Sequence, residues 1–244
     1  MSQSRLRALQ RRIRYQRTLT VLRVISVAAS LFLVLPYLIA PHYWLVDPVS
    51  TLMLSRWLTG QRVARTVVSL DRMGSHLPAM VIVAEDGRFC GHSGVDFQEI
   101  KEALDEADIS GEVRGASTIT QQTVKNLFLW QGRSYVRKAL EVPLAMWFDL
   151  IMSKRRIMEI YLNIAEWGPD GEFGAQAAAR RAFARPAATL TAREAALLVA
   201  ALPNPLVRDP RQPGPGLTRL AGLYQARAAR AAGTDCVRPP PPRR

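Results

Sequence analysis

The stretch VIVAEDGRFCGHSGVDF, residues 81–97, sets two adjacent carboxylates, Glu85 and Asp86, directly behind a wall of aliphatic side chains. Pro78 suits the first turn of a helix running through Ala84 or Asp86. The acids therefore stand where an apolar helix runs out into a glycine-rich turn. Acids at a helix C-terminus oppose its dipole, so the placement asks for a reason. A carboxyl emerging from an apolar wall is partly desolvated, which raises its pKa and suits it to general acid–base work. Asp86 adds like charge, orients the loop or shapes it, and the sequence leaves these three open. Taken alone, the pair also reads as a helix end bearing two solvated acids.

Working outward, the dominant period is helical. The segment 96–109 is amphipathic, with Phe97, Ile100, Leu104 and Ile109 on one side, and SGEVRGAS (110–117) interrupts it with two glycines. Ser117 is expected to cap a helix over TITQQTVKNLFLW (118–130). Another helix is expected from Ser134 onward, kinked at Pro143, and a further one over 153–167, stopped by Gly168 and Pro169. Residues 174–184 continue the pattern. Thr191 and Glu194 stand at capping-box spacing before AALLVAAL. Strand-like alternation is scarce. The expected fold class is mainly α, with a single domain over residues 65–207, a connector at 42–64 and a Pro- and Arg-rich, partly disordered tail at 208–244.

The net charge of +13 invites a nucleic-acid reading, but its distribution opposes one. Seven of those charges are arginines within residues 1–23, and six more are the balance of residues 208–244, which leaves the body neutral. A nucleic-acid-binding domain carries its positive charge on the folded body. Residues 24–41, VISVAASLFLVLPYLIAP, are uncharged and apolar; extended back to residue 18 they are long enough to cross a bilayer. The basic residues 1–17 form a tail whose positive charge places the N-terminus in the cytoplasm and the rest beyond the cytoplasmic membrane. A cleaved signal peptide shares this layout, yet the apolar run is long and PHYWLVDP is a poor cleavage site. A retained anchor is the better reading. An extracytoplasmic place permits a disulfide between Cys90 and Cys236, but spacing does not establish one, and Cys90 reads more simply as a small buried thiol. His42, His76 and His92 are scattered and make no zinc site.

Three further stretches carry groups that bind anions. In GASTITQQTVKN (115–126), Thr118, Gln122 and Lys125 fall on one helical face. A hydroxyl, an amide and an ammonium in a row suit phosphate or sugar oxygens near a helix N-terminus. A polar solvent face is the plain alternative. In RKALE (137–141), Arg137 and Glu141 stand four apart, either as a surface ion pair or as a cation and a carboxylate aimed at a ligand. Lys154, Arg155 and Arg156 read more simply as the basic start of a surface helix.

Together and in order, these motifs resemble the peptidoglycan glycosyltransferases of family 51, found as modules of class A penicillin-binding proteins and as stand-alone monofunctional biosynthetic enzymes. EDGRFCGHSGVD, GASTITQQTVKN, RKALE, KRRIMEIYLNIAEWG and REAALLVAALPNP carry the resemblance, over about residues 76–207. It implies a lysozyme-like helical glycosyltransferase domain behind a single transmembrane helix. It implies a periplasmic enzyme of the inner membrane that polymerises lipid II and releases undecaprenyl pyrophosphate with inversion. Glu85 would be the general base, supported by Asp86. Phe89 and His92 would shape the site, and Asp96 would close the motif structurally. Thr118, Gln122, Lys125, Asn126, Arg137 and Lys138 would hold the donor. Glu141 would assist the leaving pyrophosphate directly or through a divalent ion, Mg or Mn. Cell-wall synthesis or division proteins are the partner class implied, besides lipid II and the growing strand.

The cations sit on later helices than Glu85, and that separation protects a base from having its pKa lowered. AAARRAFARP (177–186) departs from the family pattern: Ala182 precedes Phe183 where an aromatic pair is usual, and Ala184-Arg185 stands in place of Gly-Lys, a difference of local packing and not of catalysis. The rival reading is a membrane-anchored lysozyme-like hydrolase or lytic transglycosylase. Such an enzyme has no use for a pyrophosphate clamp. An inactive scaffold is a third reading, opposed by the intact Glu85, Lys125, Arg137 and Glu141.

Overall fold

The computed structural model describes residues 3–110, 115, 117–132, 134–231 and 233–238. The side chain of Ile109 and the interruption around Gly111 lie outside the described residues, as does the end of the tail beyond 238. The chain divides into two compact units, residues 1–41 and 42–244.

The first unit is a helix, α1 (Gln3–Ile39), which stays helical through Pro36. Its Val24, Ile25, Leu31 and Leu35 are exposed. Apolar side chains displayed along a helix long and apolar enough to span a bilayer are consistent with a single-pass membrane anchor.

The second unit is mainly helical. Its helices are α2 (Thr51–Leu58), α3 (His76–Glu85), α4 (Phe97–Ser110), α5 (Ile119–Phe128) and α6 (Tyr135–Ile151). They continue with α7 (Lys154–Ile164), α8 (Ala175–Phe183), α9 (Ala192–Ala201) and α10 (Pro215–Ala228). Two-residue strands β1 (Ala64–Arg65) and β2 (Glu172–Phe173) pair in parallel. Helix α3 packs on α9 and α10, while α5 packs on α6 and α7. Leu77, Met80, Val81 and Ile82 of α3 are buried, and so is every residue of α9 from Ala195 to Ala201. Each fully buried Leu, Ile, Val or Met contributes about 1.5–3 kcal/mol, which fixes the end of α3 firmly. Helix α6 continues unbroken past Pro143.

The boundaries of this unit differ from the sequence expectation at both ends. Ser50 caps α2 by accepting from Met53 N–H, and Thr51 Oγ1 donates to the carbonyls of Asn126 and Leu129, so the connector is built into the domain. In the tail, α10 buries Ala221 and Tyr224 against the core. Its sequence PGLTRLAGLYQARA carries Pro at the first turn and apolar residues at helical spacing, signals outweighed by the Pro and Arg content around them. Cys90 is not a free thiol: it is disulfide-bonded to Cys236, with Cα atoms 5.7 Å apart. The two cysteines are 146 residues apart, and closing a loop of that length removes unfolded-state entropy worth about 5 kcal/mol in the chain-entropy account.

The departure at Ala184 has a local explanation. Ala184 ends α8 in the left-handed region at φ 56°, where glycine is at ease and alanine costs about 1 kcal/mol.

Candidate active site

The turn after α3 is held from every side. Asp86 ends α3, and its backbone N–H donates to the Ile82 carbonyl. Phe89 N–H donates back to the Asp86 carbonyl at 3.0 Å. Arg88 bonds Asp96 at 2.7 Å and also reaches Glu99 and Glu102. Asp96 in turn accepts from Glu99 N–H at 2.9 Å and caps α4, which is the structural closing role expected of it. Burial opposes ionisation of Asp96, but Arg88 and that backbone N–H hold its pKa below the usual value. Gly94 lies at φ +84°, and a Cβ there would meet the Ala145 carbonyl oxygen at 2.4 Å, so only glycine lets the turn press on α6.

Within this frame Glu85 and Asp86 separate completely in role. Asp86 is 8% exposed, and its carboxylate accepts from His92 Nε2 at 3.0 Å and from Ile119 N–H at 2.9 Å. It therefore neutralises the N-terminus of α5 and ties that helix to the turn, where the dipole favours a negative charge. These contacts suit Asp86 to orienting the turn. His92 is occupied by Asp86, and Phe89 is fully buried, its ring centroid 6.2 Å from that of His92 and 4.6 Å from Lys154 Nζ. Both shape the turn from behind.

Thr118 is also taken up internally. It, and not Ser117, is the N-cap of α5: its Oγ1 accepts from Gln121 N–H while Gln121 Oε1 accepts from Thr118 N–H. The same hydroxyl donates to the Gly94 carbonyl at 2.6 Å, so it holds the turn. Gln122 keeps its position on the expected face but turns to the protein: Nε2 donates to Glu85 at 3.0 Å and Oε1 accepts from the Tyr161 hydroxyl at 3.2 Å. The Asn126 side chain accepts from Gln131. Each of these groups thus has a partner within the fold.

Glu85 and Asp86 both line a cavity of about 220 Å³, together with Ser117, Thr118 and Arg227, and Glu85 is the less buried of the two acids. A larger hollow of about 670 Å³ lies among Leu70, His76 and Arg238, but neither Glu85 nor the cations line it. Burial pushes the Glu85 carboxyl up, and Asp86 adds to this; the Gln122 hydrogen bond and Lys125 oppose it without prevailing. The expected separation of base and cations is thus incomplete, because Lys125 lies near enough to act on Glu85. Desolvation still decides the direction.

The cations converge. Arg137 pairs with the buried Glu141 and donates from Nε to the Gly132 carbonyl at 3.1 Å. Lys138 Nζ reaches Glu141 at 3.2 Å and Ser117 Oγ at 2.8 Å. Burial lowers the pKa of Lys125, and Arg137 lowers it further. Burial, then Arg137 and Lys125, bring Lys138 down to about 8. Three mutually repelling cations balanced by one buried carboxylate form a place for an anion. Ser117 joins it to the base, since it lines the Glu85 cavity and accepts from Lys138.

Among the described residues no group of three His, Cys, Asp or Glu is placed to hold a metal, and Glu141, the carboxylate expected to recruit a divalent ion, is engaged by Arg137 and Lys138.

Lys154, Arg155 and Arg156 are held by Asp149, Asp71 and Asp47 together with Glu159, so they are structural. Missed from sequence were Tyr161, which orients Gln122, and Arg227, which lines the cavity from α10. Helical spacing around Leu217, Ala221 and Tyr224 was the available signal for the latter.

Comparison with known proteins agrees with this arrangement. Residues 52–227 match the Transglycosylase family. A biosynthetic peptidoglycan transglycosylase of Nitrobacter winogradskyi is 54% identical over 215 residues, covering 88% of this chain and 95% of that protein. Proteins of the same description from Brucella suis and Agrobacterium fabrum are 51% and 50% identical, over 91% and 88% of this chain and 96% of each relative.

Proposed function

The chain belongs to the biosynthetic peptidoglycan transglycosylases, and from that membership we propose how its residues share the work of glycan polymerisation. It is a peptidoglycan glycosyltransferase that polymerises glycan strands for the cell wall, with lipid II as its substrate. Glu85 is the general base: from the 220 Å³ cavity the 4-hydroxyl of the acceptor sugar attacks C1 of the donor as Glu85 takes its proton. The C1–oxygen bond to undecaprenyl pyrophosphate breaks, and the electron pair leaves with the pyrophosphate. Lys125, Arg137 and Lys138 meet the charge that develops there, which stabilises the transition state more than the ground state. Glu141 holds Arg137 and Lys138 in place. The observation that carries this reading is the shared Ser117, which sets a desolvated carboxylate and a cation cluster on the two sides of one site. A hydrolase of neutral glycan has no use for that cluster.

The test is polymerisation of labelled lipid II across pH. Turnover requires ionised Glu85 and protonated Lys138. The rate should fall on the acid side at a pH above that of an ordinary carboxylate, because burial raises Glu85. On the alkaline side kcat/KM should fall through about 8, as free-enzyme Lys138 loses its proton. Bound pyrophosphate favours the protonated lysine, so the alkaline limb of kcat should lie at higher pH. Absence of any glycan ladder from folded protein would sink the assignment, and a flat alkaline limb would remove Lys138 from the clamp.

The seven arginines of residues 1–23 put the N-terminus in the cytoplasm and the catalytic unit in the periplasm of the inner membrane. Protease added to spheroplasts should then digest the catalytic unit; full protection of it would reverse the orientation.

A further inference from the structure

The Cys90–Cys236 bridge joins two regions that meet again at the base. Cys90 lies in the turn that starts at Glu85, Cys236 just beyond α10. The turn is the rigid partner, fastened by Asp86, Arg88 and Thr118. Beyond α10, Val237 is buried, and its carbonyl accepts from Arg155 Nη1 at 2.9 Å. Helix α10 carries Arg227 on its last turn into the lining of the Glu85 cavity. Tyr224, one turn earlier, is pushed up by burial and by Glu85 and pulled down by Arg227, so these groups share one electrostatic neighbourhood.

We propose that the Cys90–Cys236 disulfide is a positioning device for the catalytic cavity, holding the end of α10 so that Arg227 stays on the wall facing Glu85. A ring of structure closes through it, from Glu85 along the turn to Cys90, across the bridge to Cys236, and back through α10 to Arg227. With the bridge open, Val237 keeps the Arg155 contact, but the covalent tie of Cys236 to the turn is lost. The end of α10 can then shift, and Arg227 with it. A guanidinium on that wall suits the hydroxyl and carbonyl oxygens of an acceptor sugar. Its displacement therefore lowers capture and alignment of the acceptor rather than donor clamping. The inference rests on Glu85 being the base.

The test is a double-mutant cycle on the full-length protein in detergent micelles with labelled lipid II. Its corners are wild type, the Cys90→Ser/Cys236→Ser pair, Arg227→Ala, and all three changes together. The cysteine pair and Arg227→Ala should each lower kcat/KM about tenfold. Combined they should lower it about tenfold again, not about a hundredfold, because both changes remove one effect. Thermal melts accompany each corner, since loss of the bridge lowers the Tm while Arg227→Ala leaves it nearly unchanged. Should the cysteine pair not fold, folded wild type is reduced with a trialkylphosphine. That reagent turns the bridge into two thiols as it takes up the oxygen of a water molecule, and the thiols are then capped. Multiplicative losses, or undiminished turnover without the bridge, would overturn the proposal. Glu85→Gln run alongside separates the two readings: its retained activity would refute the base, while the cycle still reports whether the bridge acts through Arg227.

Discussion

Glu85→Gln is expected to lower kcat for lipid II polymerisation by about 10³-fold while KM stays within about twofold, in keeping with the weight of a positioned general base. The amide preserves the shape of the side chain and the contact with Gln122, but it cannot take the acceptor proton. Lys125, Arg137 and Lys138 are untouched, so the donor should still bind. Stability gives a second readout. Burial raises the Glu85 pKa, which means that the folded protein bears a cost for keeping this group ionised. The folded value lies above the unfolded one, so that cost appears as pH rises through the unfolded pKa and is complete above the folded pKa. Replacing the acid by an amide removes it, and the Tm at neutral pH should hold or rise. More than a tenth of wild-type turnover in Glu85→Gln would refute the assignment of the base.

Arg137→Ala is expected to act on two quantities at once. It removes a cation from the leaving group, for which a loss of about 10²–10³-fold in kcat/KM is the usual scale. It also takes one of two cations from Glu141, whose residue is 2% exposed and which keeps its contact with Lys138. Breaking a buried pair from one side costs about 3–5 kcal/mol. The double variant Arg137→Ala/Glu141→Gln separates the effects. Without the under-compensated carboxylate the Tm should recover most of its loss, while turnover stays low because the clamp is still incomplete. If turnover recovered together with the Tm, Arg137 would serve only to balance Glu141.

Much of this was legible in the residues. The apolar wall before Glu85 announced a desolvated acid, and burial does raise its pKa. The i, i+4 spacing of Arg137 and Glu141 announced an ion pair, and the two are paired. Thr118 and Gln122 lie at the start of α5 as their spacing implies, and within the fold they bond to Gly94, Glu85 and Tyr161. Local spacing says which face a side chain occupies, and what lies opposite depends on how α3 and α5 meet. The sequence left the role of Asp86 open for the same reason. One of its partners, the Ile119 N–H, belongs to a different helix.

The helical class, the apolar N-terminal helix, the acid at a helix end and the order of the cationic motifs are all properties of neighbours along the chain. Period, capping and charge run over a few residues at a time, so they could be read without coordinates. The pairing of Cys90 with Cys236, the docking of α10 and the inward turn of Thr118, Gln122 and Asp86 are properties of neighbours in space. A polar group is available to a substrate only if no partner inside the fold has already taken it. That depends on distances between distant parts of the chain, which packing sets and local pattern does not.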